Sequence, residues 1–394
     1  MVVFLIDCIN MGGAERVMSM LANRYFADGK EVSVVVTNQS GKEANLSRFN
    51  EKIKVYFLND ETAGRKKHRA GTLAQVLFSN FYERVGKILS PDSADYALIH
   101  KFKARHYEKF IWLRHFLRDN RGATTVAFLN YSIFLSLVSA CPDTNVVISD
   151  RGDPRMIFPN PTNAAFIRKK YGRANHMVFQ SPDARKWYVE NIGIDGPVIF
   201  NPVKGDLPEP YSGERKKRIV NFCRICRQKN PFLLLDAFEK FHDGHPDYEL
   251  WLYGDEEPTE KEYVQDFLKA VSGSKCSSAI HIMPAISNIH ETIRDCAMFV
   301  SSSDYEGMSN SMLEAMALGL PTVCTDCPAG GARAIIEDGV NGLLTPVGDA
   351  DALYKAMKEI AENPALAKKL SENGVKIRET QNTERIIKKW TEIV

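Results

Sequence analysis

Short β-branched runs alternate with helical patterns along this chain, in two successive series, and no other feature restricts its fold as strongly. The first series reads VVFLID, a helix from Ala14, EVSVVVT, IKVYFL, a long helical region, TTVAFL, NVVIS, HMVFQS and PVIF. Strands that alternate with helices are joined by right-handed crossovers, which build a parallel sheet. The alternation breaks at residues 201–211, NPVKGDLPEPY, which are rich in proline, lack periodic apolar positions and read as a linker. A second series follows: RIVNFC, YELWLYG, AIHIM, MFVSS, TVCT and NGLLTP, separated by helical segments. At 394 residues the chain also exceeds the size at which one hydrophobic core stops growing. The expected fold is therefore α/β, with two Rossmann-like domains facing each other. Residues 1–200 form the first and 201–376 the second, and 377–394 end in a helix, from Thr383, able to cross back.

Hydrophobic residues at 44% and charged residues at 25% are those of a folded soluble protein. No apolar run is long enough to span a bilayer, and the start, MVVFLIDCINMGG, lacks a basic leader and a small-residue cleavage site. The 8 cysteines show no small-scaffold spacing. A reducing, cytoplasmic setting is expected. With a net charge of +2, no nucleic-acid partner is expected. The charge is unevenly spread, however: Thr62 to Gly122 holds thirteen Lys or Arg against five acids. Within it, KFKARHYEKFIWLRHFLR (101–118) fits either an anionic membrane surface or an ordinary helix packing its apolar stripe on the sheet.

In doubly wound sheets, ligands sit outside the carboxyl ends of the strands. The loop after MFVSSSDY turns at Glu306 and Gly307, and Ser309, Asn310 or Ser311 can cap a helix running to Leu318. Such a helix start presents unpaired backbone N–H groups to a diphosphate. Glu314, one turn inside, can accept hydrogen bonds from a ribose diol, and Glu306 from sugar hydroxyls. Taken singly, each has a plainer reading: Ser311-x-x-Glu314 is also a capping box, and Glu306 a solvated loop acid. Arg224, after strand IVNFC, and Lys229, at the next helix opening, change the balance. Two cations at the mouth of the same sheet could neutralise a leaving diphosphate, and a lysine at a helix N-terminus opposes the dipole and invites an anion. Gly12 and Gly13, between the first strand and helix, permit close backbone approach to a ligand, or simply make a tight turn.

Taken together and in this order, GGAER, NPV (201–203), CRICRQKN (223–230), LYGDEE (252–257), Glu306-x7-Glu314 with AMALGLPTV, and GVNGLLTPVGD resemble the retaining GT-B glycosyltransferases of family four. SDRGDP (149–154), VFQSPDA and NPV are similar to the branch that builds bacterial capsular and surface polysaccharides. The resemblance implies that Arg224 and Lys229 hold the donor diphosphate, with Glu306 facing the sugar and Glu314 the ribose. Gly307, Met308, Ser309 and Asn310 would face phosphate and sugar, and the backbone near Ala285 would border the base. Gly12 and Gly13 would close over the donor from the first domain. It implies no metal cofactor, a donor that is a nucleotide diphosphate sugar, UDP-linked, and a glycan or lipid-linked acceptor. The protein would then work in the cytoplasm, with a peripheral position on the inner membrane face as the variant its basic helix allows. A binding protein of the same fold without transferase activity is the rival.

Departures from the family pattern are Cys223 where glycine usually precedes the diphosphate arginine, Arg151 where a histidine commonly stands, and Arg333-Ala334 after the second Gly-Gly turn. Asp150 and Arg151 are candidates to touch sugar or acceptor. Cys223-x2-Cys226 and Cys324-x2-Cys327 look like zinc half-sites, but nearly a hundred residues intervene where structural zinc pairs usually stand about 12 to 20 apart. Buried or loop thiols are the alternative.

Overall fold

A computed structural model describes residues 1–9, 12–41, 44, 46–62, 106–157 and 164–394. Much of the basic stretch, including the start of the 101–118 helix, lies outside the described residues. The chain forms two compact units: residues 1–180, 184–199 and 387–394, and residues 181–183 and 200–386.

The first unit holds a six-stranded parallel sheet of β1 (Val2–Ile6), β2 (Val32–Val36), β3 (Lys54–Phe57), β4 (Thr124–Phe128), β5 (Asn145–Ser149) and β6 (His176–Met177). Their order is β3-β2-β1-β4-β5-β6. Strands covered on both faces need continuous apolar runs. All five residues of β1 and of β2 are accordingly buried. The expected strand at PVIF is reduced to one bridge, between Phe179 and Val198. Pro197 has no N–H to give to a ladder and contributes only its carbonyl, to Phe179 N.

The second unit repeats the plan with β7 (Lys216–Phe222), β8 (Glu249–Tyr253), β9 (Ile280–Met283), β10 (Cys296–Ser301), β11 (Thr322–Thr325) and β12 (Leu343–Thr345). Here the order is β12-β11-β10-β7-β8-β9. The winding direction reverses between β7 and β10, which pair directly through Val220 and Phe299. That is the topological switch point, where diverging connections leave a crevice at the strand ends.

The proline-rich segment 201–211 is irregular, yet it is not a loose tether. Val203 and Leu207 are buried in the second unit's core, and Val203 N donates to Gln381 O at 2.8 Å. Prolines 202, 208 and 210 keep it out of a sheet, while its two apolar side chains still have a core to enter.

The helices used below are α1 (Gly13–Ala27), α2 (Tyr107–Asp119), α3 (Pro231–Gly244), α4 (Ile289–Ile293), α5 (Asn310–Ala317) and α6 (Thr383–Thr391). Helix α6 starts in the second unit, and its residues from Ile387 onward belong to the first, where Trp390 is buried 5.7 Å from the Phe128 ring. Helix α2 buries Trp112, Leu113 and Leu117 in the first unit's core, and Lys109 Nζ donates to Thr37 O at 2.6 Å. Over its described residues the 101–118 segment therefore packs its apolar stripe inward. Among the described residues no helix is long and apolar enough to cross a membrane.

Candidate functional site

The loops that follow β7 and β10 meet at the switch point of the second unit. After β7 the chain makes one 3-10 turn at Arg227–Lys229, then Asn230, in left-handed backbone at φ 40°, caps α3 by accepting Leu233 N at 3.1 Å. Asp304 N donates to Gln228 O at 2.9 Å, and Ser302 Oγ donates to the Lys229 and Asn230 carbonyls, each at 2.9 Å. Asn230 Nδ2 reaches Asp304 Oδ1 at 2.8 Å, closing the seam between the loops.

This seam brings Lys229 and Glu306 into a direct ion pair, with side chains only 17% and 15% exposed. Burial would lower the Lys229 pKa, but the Glu306 carboxylate more than reverses this and holds the ammonium above the usual lysine range. Ser303 Oγ and Gln228 Nε2 donate to the same carboxylate at 3.3 and 3.4 Å. The sequence suggested a lysine awaiting an anion at a helix start; in the fold it stands one turn earlier, and a carboxylate of the protein occupies it.

Arg224, half exposed, is likewise engaged, by Glu257 in the loop after β8. Burial pushes the Glu257 carboxyl up, and hydrogen bonding from Thr259 with the Arg224 charge brings it below the usual range. The loops after β7 and β8 are joined by Ile225 N to Asp255 O at 3.0 Å and Glu257 N to Ile225 O at 3.1 Å. Asp255 Oδ1 in turn accepts Ala285 N, at 3.2 Å, from the loop after β9. Arg224, Lys229, Ala285 and Glu306 thus stand on adjoining loops at one sheet edge.

Helix α5 starts at that edge. Ser309 caps it, accepting Met312 N at 3.3 Å. Ser311 Oγ instead donates to Phe222 O at 2.7 Å and ties the helix to the end of β7. With Ser309 as cap, Glu314 lies too far into the helix to close a capping box. Its buried carboxylate is paired with His290 of α4, Oε2 to Nε2 at 2.8 Å. Asn201 Nδ2 holds the loop from the other side, reaching Asn310 Oδ1 at 2.8 Å and Met308 O at 3.3 Å.

Gly331 seats the Gly307 turn, since a Cβ there would overlap the Gly307 carbonyl oxygen. A backbone carbonyl cannot swing aside as a flexible side chain can. Gly331→Ala is therefore expected to destabilise the second unit by about 2 kcal/mol, the usual cost of overpacking, and to weaken any ligand of the Gly307–Asn310 turn. Urea unfolding of the variant beside wild type measures the first effect.

The first unit's candidates are placed differently. Gly12 precedes α1 in extended backbone, φ −72° and ψ 166°, so no left-handed conformation demands glycine. The room left by its missing side chain is taken by the buried Glu15 carboxylate. Gly13 is the first residue of α1, while Met11 lies outside the described residues.

Asp150, just after β5, is buried, and Arg151 beside it is partly buried. Asp150 is pushed up to about 6 by burial, against hydrogen bonds from Tyr188 and the backbone of Gly152 and Arg151. The Arg151 guanidinium lies 4.8 Å over the Phe128 ring and donates to Ser149 Oγ at 3.2 Å; burial lowers it to about 9 despite Asp150.

Burial also pushes Cys223 and Cys327 up to about 12, Cys324 well above the ordinary value, and Cys226 upward. Each of these thiols stands in surroundings that favour its protonated form. Among the described residues no group of three or more His, Cys, Asp or Glu could hold a metal ion.

His290, Glu257 and Asn201 were not singled out as site residues from the sequence. Asn201 and Glu257 did lie within motif blocks, NPV and LYGDEE, and that signal could have found them. Nothing in the spacing ties His290 to Glu314.

Two doubly wound parallel sheets in tandem are the architecture of the GT-B fold. Solved structures of that fold match along the whole chain. Staphylococcus aureus TarM, in complex with fondaparinux, alpha-GlcNAc-glycerol and UDP, has a TM-score of 0.74 at 13% identity, covering 100% of this chain and 99% of that one. Anabaena HepE in complex with UDP has a TM-score of 0.76 at 16% identity, covering 99% of this chain and 98% of the other.

Residues 216–363, from β7 to the helix Ala350–Glu362, match the family of glycosyl transferases group 1. The chain is 25% identical to the Bacillus subtilis protein EpsD, classed as a glycosyltransferase, over 296 residues, which are 73% of this chain and 70% of the relative. A Campylobacter jejuni 4-alpha-N-acetylgalactosaminyltransferase, whose name gives a diphospho-undecaprenol-linked sugar as its acceptor, is 23% identical over 259 residues, 62% of this chain and 68% of its own.

Proposed function

We propose that this protein is a retaining glycosyltransferase that moves a sugar from a UDP-linked donor to a hydroxyl of a lipid-linked or growing surface glycan. The observation that carries this reading is the gathering of Arg224, Lys229, Glu306 and the start of α5 on loops that flank the second unit's switch point. Arg224 and Lys229 exchange Glu257 and Glu306 for the donor diphosphate. Glu306, released, accepts sugar hydroxyls. The Ser309–Asn310 backbone at the α5 start meets phosphate and sugar, Glu314 accepts the ribose diol, and the loop at Ala285 borders the base.

Catalysis in this scheme is leaving-group stabilisation. The anomeric C–O bond to the diphosphate breaks as the acceptor oxygen bonds that carbon, the acceptor hydroxyl proton leaves with the departing diphosphate, and Arg224 and Lys229, once they hold the diphosphate, meet the negative charge that develops on it. The positive charge comes from the protein, so no metal cofactor is assigned. Nor is an enzymic nucleophile assigned; retention follows the family resemblance. The lipid-linked acceptor of the Campylobacter relative and the surface-polysaccharide motifs support the acceptor class. An acceptor of that class is consistent with work in the cytoplasm, at the inner face of the membrane.

Incubation with a panel of UDP-sugars, with product anomers read by NMR, tests the reading. Release of UDP with retained configuration is expected from one of them. Tight donor binding with no UDP released, with or without acceptor, would make the protein a nucleotide-sugar-binding protein instead.

A further inference from the structure

Glu314 is the most deeply buried of the carboxylates brought to this sheet edge, with 6% of its side chain exposed. A glutamate has three rotatable bonds, and fixing them costs conformational entropy that a ligand would otherwise have to supply. The fold fixes them beforehand. Ser311, one turn back on the same helix, donates to Phe222 O at 2.7 Å and ties this face of the helix to the end of β7. From α4, the His290 imidazole Nε2 meets Glu314 Oε2 at 2.8 Å, and its ring stands edge-on to Phe222, 6.3 Å between centroids at 88°. The imidazole is only 14% exposed and has little room to turn away.

We propose that His290 is a positioning residue that presents the Glu314 carboxylate to the ribose diol of the donor nucleotide. This rests on the reading of Glu314 as the ribose-binding acid. A carboxylate only accepts, so the His290 proton on this bond sits on Nε2 and is donated to Oε2. The diol is then met by Oε1 and the second lone pair of Oε2, in the plane that the imidazole sets. The same short helix follows the loop at Ala285, so nucleotide contacts at base and ribose share one support.

The test compares wild type, His290→Ala, His290→Gln and Glu314→Ala for binding of UDP and of 2′,3′-dideoxy-UDP, which lacks both ribose hydroxyls. His290→Ala is expected to weaken UDP about ten-fold, the value of one charge-assisted hydrogen bond, and to raise the donor KM while kcat changes little. His290→Gln, whose amide N–H can donate to the same oxygen, is expected to recover most of the affinity. For the dideoxy nucleotide, wild type and both His290 variants are expected to bind alike. Unchanged UDP affinity in His290→Ala, or the same loss for both nucleotides, would overturn the proposal. Should the alanine variant fail to fold, His290→Phe, which keeps a ring but has no donor, takes its place: loss of UDP without loss of the dideoxy nucleotide is expected, and unchanged UDP affinity would overturn the proposal. If Glu314→Ala binds UDP as tightly as wild type, it is the ribose assignment that fails; if Glu314→Ala loses UDP while His290→Ala keeps it, the positioning role alone fails.

Discussion

Lys229→Ala is expected to lower kcat/KM by roughly a hundred- to a thousand-fold, the usual loss when one preorganised charge-stabilising donor is removed. A second effect accompanies it. The variant leaves the Glu306 carboxylate largely buried without its cation, and removing one member of a buried pair costs about 3 kcal/mol or more. Activity and stability should therefore fall together in the single variant. They should separate in Lys229→Met with Glu306→Gln, which removes both charges and so leaves no charge buried and unpaired. That double variant is expected to regain most of the thermal midpoint and none of the turnover. Recovery of activity to within about ten-fold of wild type would mean that the pair is a structural ion pair and not a diphosphate site.

Glu314→Ala is expected to weaken UDP on the order of a hundred-fold, since two hydrogen bonds to a charged acceptor are lost. The fold should persist, because Ser309 still caps α5 and Ser311 still anchors it to β7. The imidazole of His290 loses its carboxylate, a local cost of about 1 kcal/mol. Glu314→Gln keeps one acceptor oxygen at the same place and should fall between alanine and wild type. Calorimetric titration of UDP into the three proteins reads the series, and equal affinities would remove Glu314 from the site.

How far the sequence foretold this arrangement follows from the range of each interaction. The two sheets were legible because burial on both faces forces β-branched runs such as VVFLI and VSVVV to stand out between helical periods. The edge on which the candidate residues gather was legible from the same pattern, since ligands of doubly wound sheets sit at strand ends. The partners of the charged residues were not. Arg224 finds Glu257, 33 positions away, Lys229 finds Glu306 at 77, and Glu314 finds His290 at 24, and no periodicity links residues across separate loops. The helix cap could be narrowed only to Ser309, Asn310 or Ser311, because each is a competent acceptor; the bond from Ser311 to Phe222 removed it from the choice. Gly12 shows the opposite limit. A glycine before a helix suggests room for a ligand, yet here the room belongs to Glu15, and spacing alone does not say which group fills a gap. Arg151 was placed by analogy with a histidine near the sugar, and its neighbours include the Phe128 ring, Ser149 and Asp150.

The central claim is that the second unit's switch point binds a nucleoside diphosphate through Lys229. Titrating UDP into wild type and into the charge-free pair, Lys229→Met with Glu306→Gln, tests it directly because both proteins are expected to be folded. Saturable binding at one site in wild type, lost in the double variant, is the predicted result. Equal UDP affinity in the two proteins, or none in wild type, would contradict it.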